Sequence, residues 1–304
     1  LNNSTFRYGP NQYLNTIDMF TIDKIEVAKG IGAIEYGSDA MGGVINLSTK
    51  ENEYSSRPIV HASTLGKFIS SNMEQTSRSE ISFSNAQLAI QGGLSFKNYG
   101  NLKGGGNVGI QNPTGYNENN IDLKVKLKIT KQDEVIIATQ NTIQHHVPIY
   151  HKIALENYRI NEVEKQARSL NYVKYKHIDN NKWFAEFLVT ASTQRTIEQR
   201  SLQRNNSTIY RNEADTVHTI GMTSEIISKP TKYWTFNTGF DYYQDNIYSS
   251  AKELNQQTNT TVFKRGLYPN AAKYNNSSVF NLHHFQLGRL FIETGLRYNF
   301  LKIN

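Results

Sequence analysis

Strict alternation of apolar and polar residues runs through most of this chain and limits what it can fold into. The clearest instance is residues 121–130, where Ile, Leu and Val occupy the odd positions and Asp, Lys and Thr occupy the even ones. An α-helix would spread those lysines around every side, whereas a β-strand places them on one face and the apolar residues on the other. The pattern recurs in residues 88–96, 183–191, 234–242 and 290–300. The chain is therefore predicted to be all-β.

The predicted strands are long, and the links between them alternate in length. Globular strands usually have ~5–6 residues, whereas ~9–11 are needed to cross a membrane as a tilted strand. Short turns are predicted near residues 131–134, 179–182, 229–232 and 287–289, and long polar segments at residues 100–117, 147–165, 200–215 and 250–274. Tight turns on one side and long loops on the other are typical of a transmembrane β-barrel, and a soluble β-sandwich has no reason to show them.

The alternation also predicts which side chains face lipid. Lys124, Lys126 and Lys128 should face the barrel lumen, and the apolar set between them should face lipid. That lipid-facing set is Ile121, Leu123, Val125, Leu127 and Ile129. Trp183 and Trp234 each follow a short turn, so we expect both rings at one membrane level, as in an aromatic girdle. The alternative is that they are two core tryptophans of a soluble sandwich.

Composition argues against several other kinds of protein. The 304-residue chain has a formal net charge of +7, but its basic residues are scattered rather than grouped in runs, so no nucleic-acid partner is expected. It has no cysteine, and therefore no disulfide, thiolate metal site or cysteine nucleophile. No apolar run approaches the ~18 residues of a membrane helix. A membrane β-barrel needs no such run, because its strands alternate apolar and polar residues. No catalytic motif is present, so neither enzyme activity nor a cofactor is expected.

The most specific motif is a glycine-rich segment between two strand-like runs. Residues 22–50 read IDKIEVAKGIGAIEYGSDAMGGVINLSTK. This segment resembles the end of the plug domain in TonB-dependent receptors. The matching positions are Ile25, Glu26, Val27, Gly30, Tyr36, Gly37, Ala40, Gly42, Gly43, Ile45 and Asn46, with a departure at Ile31, where the family often has proline. A phosphate-binding glycine loop is excluded, because neither a Gly-Lys-Ser/Thr ending nor a following helix pattern is present.

The resemblance implies an all-β fragment of a plugged, antiparallel transmembrane β-barrel. Residues 1–50 would be the C-terminal part of the plug domain, and residues 58–304 the N-terminal half of the barrel. About eleven strands are predicted from residue 58 onward, and bacterial single-chain barrels usually have an even number. We therefore expect half of a barrel of about 22 strands. We also expect a location in the bacterial outer membrane, with the signal peptide, the TonB-contacting segment and the first half of the plug outside this sequence.

The resemblance also implies where a substrate would bind. Residues 1–13 resemble the plug segment that holds an apical loop facing the external vestibule. The candidate contacts are Phe6, Arg7, Tyr8, Asn11 and Gln12. The alternative is ordinary turn chemistry around Gly9 and Pro10.

Three histidines are candidate ligands for a haem substrate. His145 and His146 lie at the upper end of a predicted strand, and His151 lies in the loop beyond it. Because neighbours on a strand point to opposite faces, at most one of His145 and His146 should face the lumen. The alternative is that all three are polar residues near a wet rim.

The function implied by the resemblance is TonB-dependent active import of a scarce, bulky nutrient, a ferric siderophore or haem, across the outer membrane. The implied partners are the TonB energy-transducing complex, outer-membrane lipid and lipopolysaccharide, and the iron chelate or haem itself. The alternative is a passive porin or a surface adhesion barrel. The plug segment discriminates between them, because neither alternative needs residues 22–50.

Overall fold

The computed structural model describes residues 13–37, 43–179 and 181–304. Residues 13–50, which we call the N-terminal segment, contain short 3₁₀ helices at Leu14–Thr16, Met19–Thr21 and Gly30–Tyr36. They also contain strands β1 (Ile22–Ala28) and β2 (Val44–Thr49). The two strands pair antiparallel, with Glu26 opposite Asn46. The strand-like runs on both sides of the glycine-rich segment are thus strands of one small sheet.

Most of the remaining chain forms one large antiparallel sheet. Its strands are β3 (Ile59–Ile69), β4 (Glu74–Ser84), β5 (Leu88–Tyr99), β8 (Tyr116–Lys128), β9 (Asp133–Pro148), β10 (Tyr158–Ile178), β11 (Glu186–Arg204), β12 (Ile209–Thr231), β13 (Trp234–Asn255), β14 (Thr260–Arg265), β15 (Ala272–Leu287) and β16 (Leu290–Ile303). Strands β6 (Leu102–Gly104) and β7 (Gly109–Gln111) form a separate hairpin, and α1 spans Tyr150–Leu155. No helix among the described residues is long and apolar enough to span a membrane.

The strands of the large sheet follow one another in chain order. The path runs β3-β4-β5-β8-β9-β10-β11-β12-β13-β15-β16, and β14 adds to β13, which gives a sheet of 12 strands. Every pairing along it is antiparallel. The predicted all-β, antiparallel architecture of about eleven strands is confirmed.

The links between strands lie at two ends of the sheet and differ in length. At the end we call the short-turn end, the links are residues 85–87, 129–132, 179–185, 232–233 and 288–289. At the opposite, long-loop end they are residues 70–73, 100–115, 149–157, 205–208 and 256–271. The hairpin β6–β7, helix α1 and strand β14 all lie within links of the long-loop end.

Two of the predicted long segments are wrong. Most of residues 147–165 and 200–215 is strand, and β11 and β12 are joined by residues 205–208 alone. Glu162 and Glu164, expected in a loop, therefore lie on β10. Strands β10 to β13 contain 21, 19, 23 and 22 residues, about twice the ~9–11 that cross a membrane. The parts of these strands nearest the long-loop end carry polar residues on both faces. Hydropathy there does not distinguish a strand from a loop.

The two faces of the large sheet differ in polarity. On β8, Lys124 and Lys126 are buried, at 8% and 7% exposure, whereas Ile121 on the other face is 49% exposed. The Lys128 ammonium lies 4.4 Å from the centre of the Tyr54 ring, on the same side as the other lysines. The predicted facing of this strand is confirmed. We call the side with the lysines the inner face and the apolar side the outer face.

An aromatic cluster marks the outer face near the short-turn end. The ring centroids of Trp183 and Trp234 are 6.2 Å apart with their planes at 89°. Phe236, His283 and Phe285 stack around Trp234. The two tryptophans therefore lie at one level, as predicted, although Trp183 belongs to the link before β11 rather than to the strand.

Candidate functional site

The N-terminal segment contacts the inner face of the large sheet through a buried carboxylate. Asp18 precedes the 3₁₀ helix at Met19–Thr21 and accepts a hydrogen bond from the backbone N–H of Phe20. Its other oxygen lies 3.1 Å from Nη1 of Arg78 on β4, and Nζ of Lys97 on β5 lies 2.9 Å from Oδ1. The hydroxyl of Ser95 donates to Asp18 at 2.5 Å. One carboxylate of the N-terminal segment is thus held by two adjacent strands.

The surroundings of Asp18 favour its charged form. Burial by itself raises the pKa of Asp18, but hydrogen bonds from Ser95 and Lys97 and the charge of Lys97 outweigh it, so the pKa lies below its ordinary value. The two cations are themselves paired with carboxylates of the sheet. Arg78 pairs with Asp122 at 2.8 Å, and Lys97 pairs with Glu118 at 2.6 Å.

A second contact lies where the N-terminal segment leads into the large sheet. Nζ of Lys124 donates to the backbone oxygen of Thr49 at 3.1 Å and to its hydroxyl at 2.8 Å. Glu51 lies 3.3 Å from Lys124 and 3.2 Å from Lys126. Burial acts to raise the pKa of Glu51, but the two lysines hold that pKa below its usual range. Tyr54 donates a hydrogen bond to Glu134 on β9 at 2.8 Å and so ties the connecting chain to the same face.

A third contact involves the 3₁₀ helix at Gly30–Tyr36. Nη1 of Arg297 on β16 donates to the backbone oxygens of Ile34 and Glu35, at 3.0 and 3.3 Å. Asn237 on β13 donates to the Glu35 carboxylate at 2.6 Å. Arg297 is held in place by Asp241, 2.7 Å away.

Further hydrogen bonds join the start of the N-terminal segment to the middle of the sheet. Gln144 on β9 donates to the backbone oxygen of Asn15 at 2.9 Å, and Tyr13 donates to Glu198 on β11 at 3.3 Å. These contacts are hydrogen bonds and ion pairs, which water can replace at a small net cost per bond. Among the described residues, hydrogen bonds and ion pairs that water can replace thus join the N-terminal segment to the inner face.

Comparison with known proteins agrees with this arrangement. Residues 1–44 match the family model of the TonB-dependent Receptor Plug Domain. The fold is similar to that of the copper transporter OprC, with 13% identity, a TM-score of 0.76, and coverage of 93% of this chain and 43% of that chain. The chain thus carries a match to the plug domain of TonB-dependent receptors. This family is not enzymatic, and its barrels lie in the bacterial outer membrane.

Two other solved structures have a similar fold. The ferric citrate transporter FecA is 12% identical, with a TM-score of 0.64 over 94% of this chain and 44% of that chain. The siderophore receptor PirA from Pseudomonas aeruginosa is 15% identical, with a TM-score of 0.62 over 98% of this chain and 47% of that chain. The chain thus spans less than half the length of these structures. No curated protein sequence matches it significantly.

The matching plug positions lie in and around the β1–β2 sheet. Glu26 and Asn46 are cross-strand partners, and the Asn46 amide lies 3.4 Å from the Glu26 carboxylate, which also binds Lys24 at 2.5 Å. Gly30, Gly37 and Gly43 have φ angles of 70°, 132° and 127°. Tyr36 ends the 3₁₀ helix and is 48% exposed.

Gly43 shows why glycine is needed in this part of the plug. A Cβ added there would lie 2.8 Å from the backbone oxygen of Ala28 on the paired strand. The positive φ and this close approach both disfavour any other residue. Gly42, the other half of the predicted Gly-Gly pair, lies outside the described residues.

The predicted apical-loop residues cannot be placed in this site. Phe6, Arg7, Tyr8, Asn11 and Gln12 all lie outside the described residues. The described chain begins at Tyr13, whose hydroxyl donates a hydrogen bond to Glu198. Their role in substrate binding stays a prediction.

The three candidate histidines lie at the long-loop end, as expected from the sequence, but not as one set. His145 and His146 have ring centroids 6.5 Å apart. His146 has a φ of 55° and no Cα partner in the β9–β10 register, so the strand is irregular there and simple alternation does not fix which way each ring points. His146 lies 3.3 Å from Glu162, and His151 lies in α1. Among the described residues, no three His, Asp or Glu side chains are grouped so that they could hold a metal ion.

The sequence did not reveal the residues that dock the plug. Alternation predicts that charged side chains on β4, β5 and β8 face the lumen, and this would have found Arg78, Lys97 and Lys124. It gives no sign that Asp18 is their partner, because that contact joins positions 60 and 79 residues apart in the chain. Only the fold brings them together.

Proposed function

We propose that the intact receptor imports a scarce, bulky nutrient across the outer membrane, with the TonB complex supplying the energy. The observation that supports this is the polar docking of the plug. Asp18, Glu35 and Glu51 are held by barrel side chains through hydrogen bonds and ion pairs. A plug that must move on each transport cycle is best held by contacts that water can replace one at a time.

A metal chelate is the substrate class that we propose, either a ferric siderophore or haem. The structures with a similar fold are described as a copper transporter, a ferric citrate transporter and a siderophore receptor. For a haem substrate, His145, His146 and His151 are the candidate ligands at the long-loop end. For an anionic chelate, Arg7 is the candidate contact, because a guanidinium can pair with a carboxylate through two parallel hydrogen bonds.

The experiment that tests energised import compares uptake with and without TonB. Cells that produce the intact receptor as their one route for iron are supplied with a panel of labelled ferric siderophores and with haem. The proposal predicts accumulation of at least one compound that stops when TonB is removed. Accumulation that is unchanged without TonB would support the passive porin, and no accumulation of any iron compound would support an adhesion barrel.

The candidate substrate contacts are tested by binding to the purified receptor. Arg7→Ala should weaken the affinity for an anionic chelate by roughly 1.5–3 kcal/mol if it removes a hydrogen bond to a charged group. The barrel should still assemble, because residue 7 precedes the first strand of the large sheet, and heat-modifiable gel migration checks this. Unchanged affinity in a folded Arg7→Ala receptor would remove the apical loop from the site.

A further inference from the structure

Exposed basic residues collect at the short-turn end of the barrel, directly beside the aromatic cluster. Lys182 lies in the link before β11, Lys232 lies in the link before β13, and Lys229 lies near the end of β12. All three are exposed. The backbone N–H of Lys229 donates to the backbone oxygen of Lys182 at 2.6 Å, so these two lysines belong to neighbouring turns that are joined to each other. Arg289, also exposed, lies in the next link along the sheet.

Few carboxylates oppose this basic group. Glu186 lies 3.4 Å from Lys229 and 3.5 Å from Lys176, so one carboxylate is shared between two ammonium groups. Asp179 is the other acid in the same links and has interactions of its own. The Lys232 ammonium lies 4.8 Å from the centre of the Tyr233 ring and leaves its charge open to solvent. The cluster keeps a positive charge after its carboxylates are counted.

The neighbouring aromatic rings fix the level of these lysines relative to a membrane. Trp183 follows Lys182 directly in the chain, and Trp234 lies two residues beyond Lys232. Their rings contact each other on the outer face, the side with the exposed apolar residues. Tryptophan rings prefer the headgroup level of a bilayer. Lys182 and Lys232 therefore lie where the phosphates of the adjoining leaflet would be, and that leaflet is the periplasmic one, because short turns of such barrels face the periplasm. Lys229 instead pairs with Glu186 on the inner face.

We infer that Lys182 and Lys232, with the rings of Trp183 and Trp234, form a binding site for anionic phospholipid headgroups in the periplasmic leaflet. The inference rests on the membrane placement in the proposed function, but not on the transported substrate. Charge complementarity selects this occupant, since ammonium groups beside a lipid phosphate attract an anionic headgroup more than a zwitterionic one. The tryptophans supply the flat, amphipathic surface at the same depth.

Fluorescence quenching by brominated lipid tests the inference in the intact receptor. The receptor is placed in phosphatidylcholine vesicles that contain an equal fraction of either brominated phosphatidylglycerol or brominated phosphatidylcholine. Brominated phosphatidylglycerol should quench the wild-type receptor preferentially, by up to about fivefold in relative binding constant for each lysine engaged. The preference should shrink as salt is added.

Matched variants assign the preference to this site. Lys182→Gln/Lys232→Gln should abolish the preference, whereas Lys103→Gln/Lys273→Gln, which removes two exposed lysines at the long-loop end, should retain it. Trp183→Phe/Trp234→Phe should remove the preferential quenching signal. If the double variant at the short-turn end does not fold, Lys232→Gln alone must lower the preference.

Either of two results would overturn the inference. One is equal quenching of the wild type by the two brominated lipids, and the other is an unchanged preference in the folded lysine or tryptophan variants. Neither result bears on transport. TonB-dependent uptake without lipid preference would refute the lipid site alone, and lipid preference with TonB-independent uptake would refute the proposed function alone.

Discussion

At the scale of single residues, Asp18 carries the densest set of contacts between plug and barrel. It binds Arg78, Lys97 and Ser95, and all four side chains are buried. Removing the charge would leave two barrel cations short of a partner, although each keeps a carboxylate on the sheet. Removing one partner of a buried ion pair costs a large free energy, because the remaining charge is left uncompensated.

Asp18→Asn is therefore expected to weaken plug docking by about 3 kcal/mol, at the lower end of the range for a buried pair. Pulse proteolysis of the plug in increasing urea measures the free energy of its release. Asp23→Asn is the matched control, because Asp23 is an exposed carboxylate on β1. Equal release of the plug in the two variants would show that the Asp18 contacts do not hold it.

Gly43→Ala tests the backbone requirement within the plug. The methyl group would meet the backbone oxygen of Ala28, and the residue would be held at a φ of 127°. A residue forced into such a conformation costs about 1–3 kcal/mol. The control is Gly105→Ala in the hairpin β6–β7, where an added Cβ has no neighbour within 4 Å. Hydrogen exchange of the β1–β2 amides should accelerate in the first variant only.

At the scale of elements, alternation predicted the strands well and the links less well. Strand β8 shows the success, because its lysines face the plug and its aliphatic side chains face outward. The tight turn at residues 205–208 shows the failure, because a polar segment was taken for a loop. In the parts of β11 and β12 that adjoin residues 205–208, polar residues occupy both faces, and the backbone ladder joins the strands. Alternation in the sequence indicates that a strand has an apolar face, but it does not indicate whether the backbone is hydrogen-bonded in a sheet.

The facing of β8 can be tested by placing one charge on each side. Leu123→Arg puts a guanidinium on the outer face and should cost about 2–4 kcal/mol near the bilayer midplane. Lys126→Arg keeps the charge beside Glu51 on the inner face and should cost little. Reversible unfolding in urea from lipid vesicles measures both. Similar costs for the two substitutions would mean that the facing is wrong.

At the scale of the whole molecule, plug docking should depend on pH. The pKa values of Asp18 and Glu51 are both lowered in the docked state, chiefly by Ser95 and Lys97 for the first and by Lys124 and Lys126 for the second, against the opposing effect of burial. A lowered pKa stabilises the docked state above the ordinary carboxyl range of about 4, and this stabilisation is lost as pH falls through the lowered values.

Urea-induced plug release should therefore need less denaturant at pH 3 than at pH 6. The dependence should flatten in Asp18→Asn/Glu51→Gln, which has neither titrating group. A midpoint that does not change between pH 6 and pH 3 in the wild type would contradict the assignment of these two carboxylates to docking.

The sequence predicted the architecture and the family, but not the docking site. The plug motif around Glu26 and Asn46 is local, and the barrel strands repeat one pattern, so both can be recognised from short stretches of chain. The docking contacts join Asp18 to β4 and β5, Glu35 to β13 and Ile34 to β16. Such pairs depend on how the plug lies against the sheet, which no local pattern encodes.

We propose that the plug of the intact receptor closes the barrel through polar contacts that can be exchanged. Conductance of the intact receptor in a planar bilayer, recorded as urea is raised, tests it most directly. We expect no open channel without urea, reversible opening as urea competes for the hydrogen bonds, and opening at lower urea for Asp18→Asn/Glu51→Gln than for Asp23→Asn. A channel that is open without urea, or the same opening midpoint in both variants, would contradict it.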